Sequence, residues 1–217
     1  MARWAPERGA VLSELAEEVL AVFPRGRILV GVDGVDGSGR TTFARDLAGA
    51  LRARDVSAAA CSLDDFHTAE SGWADADART YYAAAYDYAA FRRLVVEPYR
   101  RGDRIPLAHR PSGNGTILDP PVFAPAERAV LVVEGPFLHR PELVGLWHTS
   151  ALLQVPRAAA RRRAAERDGI AIDDPRLERE FQAVELYYRA VDARRLANAS
   201  FDMTDPAHPR RVFADAC

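Results

Sequence analysis

The stretch Ile28-Leu-Val-Gly-Val-Asp-Gly-Val-Asp-Gly-Ser-Gly-Arg-Thr-Thr-Phe43 constrains the fold more than any other part of the chain. Ile28 to Val32 is a continuous apolar run, the pattern of a strand buried on both faces, and such strands belong to parallel sheets covered by helices. The glycine-rich turn then opens into a helical segment, Phe43 to Ala53. Gly34-x-x-x-x-Gly39-Arg40-Thr41 satisfies the phosphate-loop pattern G-x-x-x-x-G-K-[ST] at every fixed position except the lysine. Gly34, Gly37 and Gly39 let backbone N–H groups converge on phosphate oxygens, and the helix that follows adds its positive end. Asp36, Ser38, Arg40 and Thr42 complete the expected nucleotide cradle, and Thr41 is placed to hold a magnesium ion.

Arginine at the lysine position has two readings. The chain has no lysine, so all 29 residues counted as Lys+Arg are arginine. Arg40 is then either one instance of a chain-wide replacement, as in a GC-biased genome, or a local adaptation. A guanidinium keeps the charge but exchanges a compact ammonium for a planar fork. Nucleotide binding is expected to survive that exchange more surely than catalytic rate.

Apolar runs alternate with helical segments along the chain. Val11, Leu12, Leu15, Val19, Leu20 and Phe23 recur at helical spacing, which predicts an amphipathic helix over about 10 to 23, within an amino-terminal segment 1–24. This helix can pack on its own sheet or on a second copy of the chain. Strands are predicted at Ile28–Val32, Val56–Leu63, Ala129–Val133, Ser150–Val155 and a last one at Ala199–Met203. Helices are predicted at Tyr88–Arg101, Arg157–Arg167 and Asp174–Leu196. Thr68 to Ala78 reads as an acidic loop and Gly102 to Pro125 as a loop with short strands. The expected fold is α/β, a P-loop NTPase-type parallel sheet with helices on both faces, in a single domain over 1–217.

Composition narrows the function classes. With 48% hydrophobic residues the chain can bury a full core, and its net charge of -2 supplies no basic field for nucleic acid. Cys61 and Cys217 have neither metal-ligand spacing nor the density of a disulfide scaffold, which points to the reducing cytoplasm. Glu14, Glu17 and Glu18 break up any signal-peptide core, and no run suits a membrane span. The expected partner is a small molecule, not nucleic acid or membrane.

Asp64 and Asp65 end the second predicted strand. A carboxylate at the carboxyl end of a parallel strand beside a phosphate loop faces the ligand crevice, where it can orient an attacking hydroxyl and take its proton. Glu134, directly after the Ala129–Val133 strand, is a second acid of this kind.

In order along the chain, GVDGSGRTT, SLDDFH, Tyr86-Asp87-Tyr88 and VVEGPFLH (Val132 to His139) resemble the uridine kinase and phosphoribulokinase group of P-loop kinases, over about residues 28 to 195. The resemblance implies phosphoryl transfer from ATP or GTP, with magnesium, to the 5'-hydroxyl of a nucleoside such as uridine or cytidine. It makes Asp64 the catalytic base, with Phe66 and His67 of the same motif at the substrate. Asp87 becomes the residue on the ribose hydroxyls and His109 the contact to the base. Glu134 becomes the acid near the metal, and Asp65 assists the metal through water. Arg157, Arg161, Arg162, Arg163 and Arg167 fall in a short arginine-rich lid, about 157–175, from which Arg163 and Arg167 at i,i+4 would join Arg40 in stabilising developing charge. The tyrosine that usually precedes the histidine is replaced by something like Arg104, which leaves room for a non-nucleoside alcohol: a sugar, a pantothenate-like alcohol or a specialised metabolite. A third reading is a catalytically weak nucleotide-binding protein, with Arg40 as its marker.

Overall fold

The computed structural model describes residues 6–68, 76–108 and 121–213. The chain begins with α1 (Arg8–Val22), β1 (Arg27–Gly34), α2 (Arg40–Arg52) and β2 (Ser57–Ser62), which runs into a 3-10 turn, Leu63–Phe66. Next come α3 (Ala78–Ala84) and a continuous helical stretch made of α4 (Tyr88–Phe91), a π turn (Arg92–Val96) and α5 (Glu97–Arg101). The short strands β3 (Ile105–Pro106) and β4 (Val122–Phe123) pair antiparallel and precede β5 (Ala129–Gly135). The remainder is β6 (Thr149–Gln154), α6 (Arg157–Asp168), α7 (Pro175–Ala190), α8 (Ala193–Leu196), β7 (Ala199–Asp202) and β8 (Arg210–Val212).

The main sheet has the order β2-β5-β1-β6-β7-β8. Its first five strands are parallel and β8 pairs antiparallel with β7, so Ala199–Met203 is not the last strand as expected. β8 carries no apolar run in Arg210-Arg-Val212, and the sequence offers no signal for it. The predicted helix Asp174–Leu196 is also corrected. Val191 is extended at φ -135°, ending α7, and the Asp192 carboxylate caps α8 through the Arg195 N–H at 3.3 Å.

Each face of the sheet carries its own core. Val30, Val32, Val132 and Leu153 turn toward α1 and α2, where Phe43, Leu47 and Leu51 are fully buried. Leu29, Leu131, Val133 and Leu152 turn the other way, toward Phe91, Tyr99 and Tyr187. The alternation follows from the two-residue period of strands covered on both sides. α1 packs on α2 of its own chain, tied by Arg8 Nε to Asp46 Oδ2 at 2.8 Å. Among the described residues no helix is long and apolar enough to cross a membrane.

This topology sets the candidate site. Every parallel strand points its carboxyl end the same way, so Gly34, Ser62 and Gly135 reach one edge together. A Cβ added at Gly135 would stand 2.6 Å from the Leu63 Cβ, so glycine there lets the turn that carries Asp64 close onto β5.

Candidate active site

The phosphate loop joins β1 to α2 with two glycines in the left-handed region, Gly37 at φ 75° and Gly39 at φ 89°. A side chain at Gly37 would also put its Cβ 2.1 Å from the Ala160 carbonyl oxygen, so α6 lies directly against the loop. Gly34 is held on both sides. Its N–H donates to Asp33 Oδ1 at 2.7 Å, and its carbonyl accepts from Arg40 Nη1 at 2.9 Å. Ser38 is buried beneath the loop, and Thr41 and Thr42 are exposed in the first turn of α2.

Arg40 turns inward and is only 6% exposed. Its Nη2 lies 3.3 Å from Asp64 Oδ2 and 3.4 Å from Asp36 Oδ1, and its Nε lies 3.6 Å from Glu134 Oε2. Burial opposes its charge, but Asp64, Glu134 and Asp36 together outweigh burial and hold the guanidinium protonated more firmly than usual.

Asp64 follows Ser62, whose hydroxyl accepts the Asp64 N–H at 3.1 Å and fixes the turn. The Tyr86 hydroxyl donates to Asp64 Oδ1 at 3.1 Å, while the side chain stays 45% exposed and open to the cavity. His67 lies beside it, packed edge-on against Tyr86. In the neutral ring Nδ1 donates to the Thr68 carbonyl at 2.7 Å, which leaves Nε2 to accept from the Tyr81 hydroxyl at 3.0 Å.

Thr41 Oγ1 donates to Glu134 Oε1 at 3.1 Å, and Glu134 Oε2 is buried without a hydrogen-bond donor. Burial raises the Glu134 carboxyl; Arg40 opposes that rise and Asp64 adds to it. A hydroxyl and a carboxylate are hard oxygen donors that suit magnesium, which takes one or two carboxylates and completes its shell with phosphate oxygens and water. No cluster of three or more His, Cys, Asp or Glu among the described residues could hold a metal by itself. The donor set therefore fits a magnesium ion that arrives with a nucleotide.

The arginine-rich helix expected as a lid is α6, and its arginines diverge. Arg167 reaches the phosphate loop, with Nη1 and Nη2 donating to Asp36 at 3.0 and 2.7 Å. Arg163, expected beside it, instead donates to the Met203 and Thr204 carbonyls at 3.0 and 2.9 Å and does not line the cavity. Arg157 and Arg161 pair with Glu178 and Arg157 also with Glu185, tying α6 to α7. Arg162 lies 4.0 Å from Glu166 on an exposed face.

A cavity of about 600 Å³ opens over this edge of the sheet. It brings together Asp36, Arg40, Asp64, His67 and Arg167 from the sequence reading. Thr41, Glu134 and Arg163 do not line it, and Asp87, Phe66 and Asp65 also fall elsewhere. The Asp87 carboxylate is exposed and caps α4 through the Ala90 N–H at 2.8 Å, outside the cavity. Phe66 turns into the core against Phe91, with ring centroids 5.4 Å apart. Asp65 does not line the cavity either. His109 lies outside the described residues.

The cavity also holds residues that sequence reasoning missed. From α7 come Arg176, Arg179, Glu180 and Phe181, and Arg179 stacks over Tyr81 at 5.1 Å. Phe137, just past β5, is a bulky residue in the left-handed region at φ 62°, a strain of about 1–2 kcal/mol. It is held there between the rings of Tyr82 and Tyr187, at 5.3 and 5.4 Å. Beneath them, Asp33 Oδ2 accepts from the Tyr187 hydroxyl at 2.5 Å and meets His139 Nδ1 at 3.1 Å, while His139 Nε2 meets Ser150 Oγ at 3.0 Å. This buried network joins the root of the phosphate loop to α7.

The chain matches no protein-family model and no curated protein sequence. Solved structures do match. One is a possible uridine kinase from Bacillus stearothermophilus, with a TM-score of 0.67 at 19% identity over 88% of this chain and 97% of that one. Another is a candidate fructose transport system kinase from Silicibacter sp. TM1040, with a TM-score of 0.59 at 27% identity over 81% of this chain and 94% of that one. With its parallel sheet, its phosphate loop and these likenesses, the chain has the P-loop kinase fold of the uridine kinase and phosphoribulokinase type.

Proposed function

We propose that the chain is a magnesium-dependent kinase that moves the terminal phosphoryl group of ATP or GTP onto a hydroxyl of a small molecule, in the cytoplasm. The observation that carries this reading is the position of Asp64 on the cavity wall, 3.3 Å from the phosphate-loop cation Arg40. Asp64 orients the acceptor hydroxyl and takes its proton as the oxygen–phosphorus bond forms and the bond from phosphorus to the departing diphosphate breaks. Arg40 exchanges its carboxylate partners for phosphate oxygens, and Arg167 approaches the same oxygens from α6. Magnesium, when bound, neutralises the outer phosphates, and Thr41 and Glu134 are the residues that would hold it.

The sequence resemblance implies a nucleoside acceptor. The position of Asp87 as a helix cap outside the cavity favours the alternative, a non-nucleoside alcohol such as a sugar. The likeness to a candidate fructose transport system kinase is in keeping with that alternative. The reading of a weak nucleotide-binding protein rests on Arg40 alone, and Asp64 and Glu134 around that cation argue against it.

The test is consumption of ATP and of GTP, with magnesium, against nucleosides, sugars and other small alcohols, comparing the wild type with Arg40→Lys. Acceptor-dependent turnover supports the kinase reading, and the acceptor that drives it decides between nucleoside and non-nucleoside. Nucleotide binding without turnover on any acceptor would leave the binding-protein reading standing.

A further inference from the structure

Glu180 projects from the middle of α7 into the cavity wall, flanked by the lining residues Leu177, Phe181 and Val184. Its side chain is half-buried, and no described residue donates a hydrogen bond to it. Burial, followed by the nearby charges of Asp36 and Asp64, pushes its carboxyl up to about 7 against the pull of Arg179 and Arg167. A carboxylate in such surroundings gains most from a ligand that supplies a hydrogen-bond donor.

The charges around it decide which ligand that is. Arg40, Arg167, Arg176 and Arg179 line the same cavity and disfavour a cationic acceptor. Asp64 and Glu180 disfavour an anionic one near the reacting hydroxyl. What remains is a neutral molecule rich in hydroxyl groups, whose C–H faces suit the rings of Tyr81, Tyr86 and Phe181. The resemblance expects Asp87 to hold hydroxyls, but Asp87 is engaged in capping α4.

We propose that Glu180 is the specificity-determining carboxylate of the acceptor site, accepting a hydrogen bond from a second hydroxyl of a neutral polyol whose first hydroxyl is presented to Asp64. The inference rests on the kinase reading above. The polyol chemistry has two sources, a free sugar or alditol and the ribose of a nucleoside.

The experiment measures magnesium-ATP consumption with D-fructose, D-ribose and ribitol, with uridine and cytidine, and with ethanolamine and glycerate as charged controls. The best acceptor is then compared with its single-deoxy analogues in the wild type and in Glu180→Gln, which keeps shape and folding while changing the acceptor atom. The expected result is turnover of a neutral polyol and not of the charged controls. Glu180→Gln should raise KM for the acceptor by about tenfold or more, with KM for ATP unchanged. One deoxy analogue should lose about tenfold in the wild type and little further in the variant, because a shared contact makes the two losses non-additive. A merely structural Glu180 would give additive losses and would overturn the inference, as would preference for a charged control. An acceptor turned over equally by both proteins would defeat this inference and leave the kinase reading intact. Bound ATP with no turnover on any acceptor would defeat both.

Discussion

Arg40 Nη2 and Asp64 Oδ2 stand 3.3 Å apart, so the phosphate-loop cation and the carboxylate placed to take the acceptor proton neutralise each other across the cavity floor. Asp64→Asn keeps the size of the side chain and removes the proton acceptor. Its kcat should fall by about 10²–10⁴-fold, the usual contribution of a positioned base. Nucleotide affinity, measured by titration without acceptor, should not weaken, because a negative charge near the phosphates is lost. A kcat within a few-fold of wild type would remove Asp64 from the base role.

Arg40 also has a structural duty. Arg40→Met fills much of the same volume and leaves Asp36, Asp64 and the buried Glu134 without their shared cation. Removing one partner from a fully buried pair costs about 3–5 kcal/mol. Here Asp64 is half exposed and Asp36 keeps its pair with Arg167, which lowers the expected loss to about 1–3 kcal/mol by urea unfolding at neutral pH. Lowering the pH should narrow the gap as the orphaned carboxylates protonate. A gap that stays constant down to acid pH would mean that the carboxylates do not depend on Arg40.

The parts of the site legible in the sequence are those built from one strand end and the residues next to it. The phosphate loop, Asp64 and Glu134 each follow an apolar run directly, so the topology of a parallel sheet brings them together. Glu180 was not legible, because it reaches the site from a helix far along the chain and nothing in its neighbours marks that face as a cavity wall. Asp87 shows the opposite failure. The same aspartate before a helix suits a ligand contact or an N-cap, and the free N–H groups of α4 take it. Arg163 and Arg167 do share a helical stripe, but one turn along the axis separates the β7–β8 connection from the phosphate loop.

The Arg167–Asp36 pair latches α6 to the phosphate loop, and Arg167 is 55% exposed. An exposed pair of this kind adds little stability, so Arg167→Ala should shift the unfolding free energy by less than about 1 kcal/mol. Its kinetic effect should be much larger, on the order of 10²-fold in kcat/KM, if the guanidinium meets phosphate in the transition state. Arg163→Ala, which loses only the two carbonyl contacts beyond β7, should leave kcat within a few-fold. Equal kinetic losses in the two variants would contradict the divergence of their side chains.

Tyr187→Phe tests the buried network under the phosphate loop. It removes the 2.5 Å hydrogen bond to Asp33, whose side chain is 1% exposed, and leaves a buried carboxylate with fewer donors. The expected destabilisation is about 1–3 kcal/mol by denaturant unfolding. The loss of rigidity at Gly34 should also weaken nucleotide binding, whereas a core tyrosine unrelated to the loop would change stability alone.

Glu180 gives the stability of the protein a particular pH dependence. Its carboxyl is raised from the ordinary 4.5 to about 7, by burial first and then by Asp36 and Asp64. Between these values the folded chain keeps a proton that the unfolded chain has released. Stability contributed at this position is therefore present below about 4.5, falls as pH rises toward 7, and is level above that. Glutamine cannot ionise, so the stability of Glu180→Gln relative to wild type should grow from pH 5 to pH 8. The gain should be on the order of 2 kcal/mol once solvent screening of a half-buried group is allowed for. Urea midpoints for both proteins at the two pH values give the comparison, because every other titrating group is common to both. A difference that does not change with pH would mean that Glu180 is ionised throughout, already compensated by Arg179 and Arg167.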